Sequence, residues 1–369
     1  MGIIRLILAI SVVVSHSSAI FGLKFVDADL AVKTFYIISG FYMSLILNEK
    51  YVNQKHAYRL FITNRFLRLF PIYWIILALT LLFFAIIYRQ PNESRLGTTC
   101  LQMYANYFHS LGVGSFCFLI FTNVFLFFQD VVMFLGLDPA TGHLFFTTNY
   151  RTTSPELFRF LFVPQAWTIG IELLFYLIAP FIVRKNIKIV GGLIIVSVLL
   201  RAVLYRSGLN HDPWTYRFFP AEVAFFLIGS LSYAIYRKIR VRSLKSFFLN
   251  VLWVAVIMVS VSFSIVEFPF KRYFYLLLVF ISLPFIFHHT KKSKTDSYIG
   301  ELSYPIYISH MFIASVLLLL NFPTTKWLGL VLAITTILFS IALNELVGKR
   351  IENFRQKRVR SLPQKNIAV

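Results

Sequence analysis

Apolar runs of about twenty residues, separated by short polar connections, recur from one end of the chain to the other, and each is long enough to cross a hydrocarbon core as a helix. They cover Ile3 to Leu23, Leu30 to Leu47, Phe70 to Tyr88, Phe116 to Leu135, Gln165 to Val183, Ile187 to Tyr205, Phe218 to Tyr236, Phe247 to Ile265, Tyr273 to Phe287, Leu302 to Leu320 and Trp327 to Val347. The pattern predicts an all-α, polytopic membrane helix bundle over residues 1–348, followed by a basic tail over 349–369, with the lipid bilayer as its solvent.

The placement of charge orients the bundle. Lys and Arg gather in Lys50 to Arg68, Arg184 to Lys188, Arg237 to Lys245, Lys291 to Lys294 and Lys349 to Arg360, which places those connections and both termini in the cytoplasm. From Arg184 onward the spans alternate with this assignment. Arg89 to Pro164 must then begin and end outside, although it holds a single strongly apolar stretch. Ten spanning helices result, with Phe116 to Leu135 as a re-entrant or interfacial element broken near Gln129 and Asp130. The alternative is a true crossing paired with a weakly apolar one around Leu144 to Val163.

Composition agrees. Of the 369 residues 58% are hydrophobic and 14% charged, against about a quarter charged in a soluble domain. The formal net charge of +21 sits beside the spans, as positive-inside topology requires, so nucleic acid is not an expected partner. Cys100 and Cys117 form no framework and no metal-ligand spacing. Arg5 and His16 inside the first run argue against a cleavable leader.

Ionisable groups at depth are costly and therefore point to function. Eleven helical steps bring His16 to within about 20° of the Arg5 face and about 16 Å along the axis, which puts Arg5 near the cytoplasm and His16 past mid-membrane, where a neutral imidazole can act as a base. Arg65 and Arg68 share a face three residues apart, and their forked guanidinium groups suit phosphate. Trp167 and Glu172 open the span from Gln165, so Glu172 lies about 8 Å below the outer surface, at the expected depth of His16, and is a candidate to orient it or to hold a substrate hydroxyl. Ser39, Gly40 and Phe41 read first as a helix-packing site. Tyr304, Pro305, Tyr307 and His310 open the span from Leu302, placing His310 nearer the cytoplasmic half.

Five segments, RLILAISVVVSH (Arg5 to His16), FYIISGF (Phe35 to Phe41), NRFLRLFPIY (Asn64 to Tyr73), QAWTIGIELLFYLIAP (Gln165 to Pro180) and LSYPIYISH (Leu302 to His310), together resemble the acyltransferase-3 family of integral-membrane acyltransferases. The family's Arg, ten residues, His motif falls on Arg5 and His16, and its Arg-x-x-Arg motif on Arg65 and Arg68. The resemblance implies a ten-helix core in the bacterial cytoplasmic membrane, a cytoplasmic acyl-CoA donor, usually acetyl-CoA, and transfer to a hydroxyl of an extracytoplasmic glycan or lipid-linked saccharide, with O-antigen or another surface polysaccharide as the first expectation. In one departure, Lys33 stands where many members carry Asp.

The expected roles follow: His16 as base with Glu172 as its partner, Arg5, Arg65 and Arg68 on the donor's phosphates, and Ser39, Trp167 and His310 as further candidates. A secondary transporter or flippase is the reading from another class, since it also needs ionisable groups at the midplane. No internal two-fold hydropathy repeat supports it.

Overall fold

The computed structural model describes residues 1–52, 56–88, 99–323 and 326–360. Its helices are α1 (Gly2–Ser15), α2 (Ala28–Glu49), α3 (Ala57–Ile87), α4 (Cys100–Tyr107), α5 (Val113–Phe125), α6 (Trp167–Ile182), α7 (Ile187–Arg206), α8 (Phe219–Ile239), α9 (Ser246–Ser262), α10 (Lys271–Thr290), α11 (Lys294–Leu319), α12 (Leu328–Leu343) and α13 (Lys349–Arg360). One short hairpin, β1 (Leu135–Leu137) and β2 (Leu144–Phe146), pairs antiparallel with Gly136 opposite Phe145. The chain is an all-α polytopic bundle. Among the described residues, eight helical stretches are long and apolar enough to cross a membrane. With the shorter α1 and α9, of 14 and 17 residues, they make up the expected ten.

Contacts at the helix ends show the alternation. Glu49 pairs with Arg240 at 3.0 Å, Arg184 donates to the Leu47 carbonyl, Lys291 donates to the Tyr236 hydroxyl at 3.1 Å, and Arg358 reaches the start of α3. The basic connections therefore share one end of the bundle. At the other end Arg272 pairs with Asp27 and Asp29, Ser264 accepts from the Lys24 amide at 3.1 Å, and Ser18 accepts from the Gly329 amide at 2.8 Å. Large apolar side chains stand exposed along α7 and α9, among them Ile195, Val196, Leu199, Val251 and Met258. Such faces are where lipid belongs.

Several spans have different limits from those that hydropathy suggests. α3 begins at Ala57 rather than Phe70, because Arg59, Arg65 and Arg68 lower the local hydropathy while Leu60, Phe61 and Asn64 on the same turns are buried. α11 begins at Lys294 rather than Leu302, capped by Ser293, whose hydroxyl accepts from the Asp296 amide at 3.2 Å. α1 ends at Ser15, not Leu23; beyond it the chain turns through an Ile20–Leu23 bridge. α12 runs on through one π turn, Asn344–Gly348, into α13, so the first part of the basic tail is a docked helix; residues 361–369 of that tail lie outside the described residues.

The stretch from Val113 resolves the parity question. α5 has 13 residues and stops at Leu126, whose φ is 63°, and Gln129 and Asp130 fall in the break that follows, both buried. The added Cβ that Gly170 lacks would lie 2.8 Å from the Leu126 carbonyl oxygen, so the break seats directly on α6. Residues 144–163 form a strand and 3-10 turns; the alternative of a second crossing there does not hold.

Two backbone approaches fix the centre of the bundle. A Cβ on Gly40 would come within 1.8 Å of the Phe226 carbonyl oxygen, and one on Gly229 within 1.9 Å of that of Ile37, so α2 and α8 cross with their main chains touching. α1 and α11 run side by side in the same way: Asp296 accepts from the Gly2 and Ile3 amides at 2.8 and 3.1 Å, and a Cβ on Gly300 would meet the Cα of Gly2 at 2.9 Å. A carboxylate on the first free N–H groups of α1 is the favourable arrangement for a helix start.

Candidate active site

A cavity of about 100 Å³ lies between α1, α2, α3, α6 and α11. Arg5, Ser39, Tyr42, Arg68, Glu172, Tyr176 and Tyr304 line it, with apolar walls from Val32, Phe35, Met43 and Leu69. The first helix contributes Arg5 because the small contacts Gly2 and Gly300 bring α1 against α11. Arg5 stands 6.0 Å over the ring of Tyr42, and its charge is felt by Arg68 across the cavity. Two cations confined in one apolar chamber attract an anion.

Glu172 faces them. Ser39 and Tyr176 each donate a 2.5 Å hydrogen bond to the same carboxylate oxygen, Oε1. Tyr176 reaches it from the next turn of α6, whereas Ser39 comes from α2. Gly40 thus packs α2 on α8 while its neighbour Ser39 serves the cavity. Tyr304 closes the wall by donating to the Leu69 carbonyl at 2.8 Å, tying α11 to α3.

His16 caps the far end of α1, exposed, with Nδ1 2.9 Å from the Val12 carbonyl oxygen. Its ring lies against His310, centroids 5.1 Å apart. His310 is fully buried, its Nδ1 2.7 Å from the Tyr307 carbonyl oxygen and its Nε2 without a hydrogen-bond partner. A carbonyl only accepts, so Nδ1 of each imidazole carries the proton and Nε2 holds the lone pair in the neutral form. Because α1 and α11 start together and run in register, His310 sits at the depth of His16, not in the cytoplasmic half. The earlier start of α11 accounts for the difference.

The remaining candidates separate. Glu172 takes its hydrogen bonds from Ser39 and Tyr176 rather than pairing with His16, whose ring neighbour is His310; equal depth did not mean the same side of the bundle. Arg65 is buried one turn from Arg68 toward the basic end, outside the cavity lining. Trp167 is buried at the start of α6, with the Arg217 guanidinium stacked on its ring at 4.2 Å. Nearby, Thr168 donates to the Tyr307 hydroxyl at 2.9 Å, and Tyr307 donates to the Gln165 carbonyl at 2.9 Å. Lys33 pairs at 2.5 Å with Asp29, one turn earlier on α2.

Sequence reasoning passed over Tyr42 and Tyr176, and named Tyr304 beside His310 without giving it a role. The spacing of Tyr176, four residues after Glu172, was the available signal, since such residues meet on a helix face. Tyr42 is one of 19 tyrosines and carries no signal of its own, whereas Tyr304 stands in the marked segment Leu302 to His310, where His310 drew the attention.

Among proteins of curated function and among solved structures, none matches the chain. The family model of the acyltransferase domain of the acyltransferase-3 family, however, matches residues 1–345, a stretch that holds Arg5, His16, Arg65, Arg68, Glu172 and His310. That stretch includes every helix that lines the cavity, and the chain belongs to the acyltransferase-3 family.

Proposed function

We propose that this membrane acyltransferase moves an acyl group, acetyl in the first instance, from acyl-CoA on the cytoplasmic side to a hydroxyl of an extracytoplasmic glycan such as O-antigen or another surface polysaccharide. The observation that carries the reading is the division of chemistry along α1: arginines at the basic end and imidazoles with a free Nε2 lone pair at the other. Donor phosphates belong with Arg5, Arg65 and Arg68, because guanidinium forks match phosphate oxygens. The apolar walls above them suit the uncharged arm that carries the thioester.

The acceptor hydroxyl attacks the thioester carbonyl as His16 Nε2 takes its proton; the carbon–sulfur bond breaks, the ester forms, and the thiolate leaves and is protonated to free coenzyme A. His310 packs beside His16 and steadies its ring. Glu172 serves as a positioning residue, holding Ser39 and Tyr176 in the wall and balancing the arginine charge.

The test uses membranes containing wild-type protein, His16→Ala, or the Arg65→Ala/Arg68→Ala pair, supplied with radiolabelled acetyl-CoA and a surface-glycan fraction. Wild type should label the glycan, His16→Ala should lose about 100-fold or more, as removal of a general base does, and the arginine pair should need more donor for half-maximal rate. A folded, inserted wild-type protein that labels no glycan from any acyl-CoA sinks the reading.

A further inference from the structure

α13 does not trail away as a solvated tail. Arg358 donates to Asn64 Oδ1 and Thr63 Oγ1, both at 2.9 Å, and so pins the helix along the first turns of α3. One turn back, Arg355 is 8% exposed and donates to Glu352. Its Nε has no hydrogen-bond partner, and neither does Nε of Arg65, which is 5% exposed.

These groups act on one another: the charge of Arg355 is opposed by Arg65 and Arg68, and Glu352 feels all three. Buried like charges with unpaired N–H groups are costly unless something anionic completes them. Glu352 supplies one charge, shared with Gln356, which donates to its other oxygen at 3.1 Å. Across the cavity and this layer, Arg5, Arg65, Arg68 and Arg355 face Glu172, Glu352 and Glu301, whose carboxylate feels Arg68 and Arg5, so the arginines outnumber the carboxylates by four to three. These carboxylates leave Nε of Arg65 and of Arg355 without an acceptor, and the several oxygens of a polyphosphate would supply one to each.

We propose that Arg355 is a further phosphate-binding residue of the donor site, contributed by the C-terminal helix, and that Glu352 is its resting counter-ion, displaced when the phosphates of a coenzyme A-type donor arrive. The proposal rests on the acyl-CoA reading above and extends it to a helix beyond the matched family domain.

The experiment measures binding of coenzyme A to the full-length protein in lipid nanodiscs, for wild type, Arg355→Gln, Glu352→Gln, and Arg350→Gln as an exposed control on the same helix. Arg355→Gln should weaken binding about tenfold or more, the loss of a charge-assisted hydrogen bond, and should raise the KM for acetyl-CoA while kcat and the acceptor KM stay within about twofold. Glu352→Gln, of the same shape, should bind coenzyme A more tightly than wild type, so the proposal stays testable should Arg355→Gln fold poorly. If Arg355→Gln binds as wild type does, or Glu352→Gln gains nothing, the proposal is overturned while the donor reading stands on wild-type binding. If wild type binds no coenzyme A, the donor reading fails and this one with it.

Discussion

Glu172 and Asp212 show two ways of holding a carboxylate. Glu172 lies inside the bundle with two hydroxyl donors on one oxygen, and each such bond to a charged acceptor contributes about 1.5–3 kcal/mol. Asp212 lies in the loop between α7 and α8. Burial opposes its charge, yet Arg217 Nε at 2.6 Å, the Tyr150 hydroxyl at 2.7 Å and Arg151 at 3.6 Å together hold its carboxyl below the ordinary range. A depressed folded-state value stabilises the fold above the unfolded value of about 3.9 and is lost as pH falls through the folded one. Asp212→Asn should therefore cost about 1–3 kcal/mol at neutral pH, and its deficit against wild type should shrink as pH falls below about 4. Unfolding midpoints in micelles across that range decide it; a deficit independent of pH would show that the charge is not what matters. Asp212 also anchors the guanidinium stacked on Trp167. The sequence could mark Trp167 and Glu172 as unusual, but which groups they touch depends on loops and helices far away in the chain.

At the scale of single helices, what hydropathy could read and what it could not divide along a physical line. Lipid-facing and core-facing apolar residues both raise hydropathy, so the existence of α2, α6, α7, α8, α9 and α10 was plain. Segments that leave the apolar slab while remaining helical were not: the start of α3, the start of α11 and all of α13 carry Arg, Lys, Asp and Glu on one face and packing residues on the other. Parity of charge still exposed α5 as a non-crossing element, because orientation depends on where the basic loops lie rather than on how apolar one stretch is. Gly40 links element to site. Adding one methyl there must push α2 from α8 at the Phe226 carbonyl, and overpacking of this kind typically costs about 1–3 kcal/mol. Gly40→Ala should lower the thermal midpoint and, by shifting Ser39 from Glu172, weaken acyl transfer; equal activity and stability would mean that the crossing is more pliant than its contacts suggest.

For the molecule as a whole, the helix-end contacts sort the connections into two sets, one basic and one opposite it, where Asp212 and Trp214 of the α7–α8 loop meet Tyr150 and Thr148. Single cysteines placed in a Cys100→Ser/Cys117→Ser background should report this directly. A cysteine at His143, in the exposed hairpin turn, should react with a membrane-impermeant maleimide added to whole cells, whereas one at exposed Arg242 should react only after the membrane is opened. Labelling of both from outside would break the parity on which the donor and acceptor sides are assigned. The cavity itself was not legible as a whole, since it is assembled from five helices whose mutual rotation is set by packing at Gly2, Gly40, Gly229 and Gly300 rather than by any local motif.

The ten residues between Arg5 and His16 have an electrical consequence. Moving one elementary charge through a membrane potential of 100 mV involves about 2.3 kcal/mol, and a transporter carrying an anion along α1 would be driven or stalled by that amount. In the proposed reaction the phosphates stay with the arginines at one end, an uncharged acyl group passes outward, and a neutral thiol remains behind. The voltage then does no work on the proposed transfer, whose rate should be the same whether the membrane is energised or not.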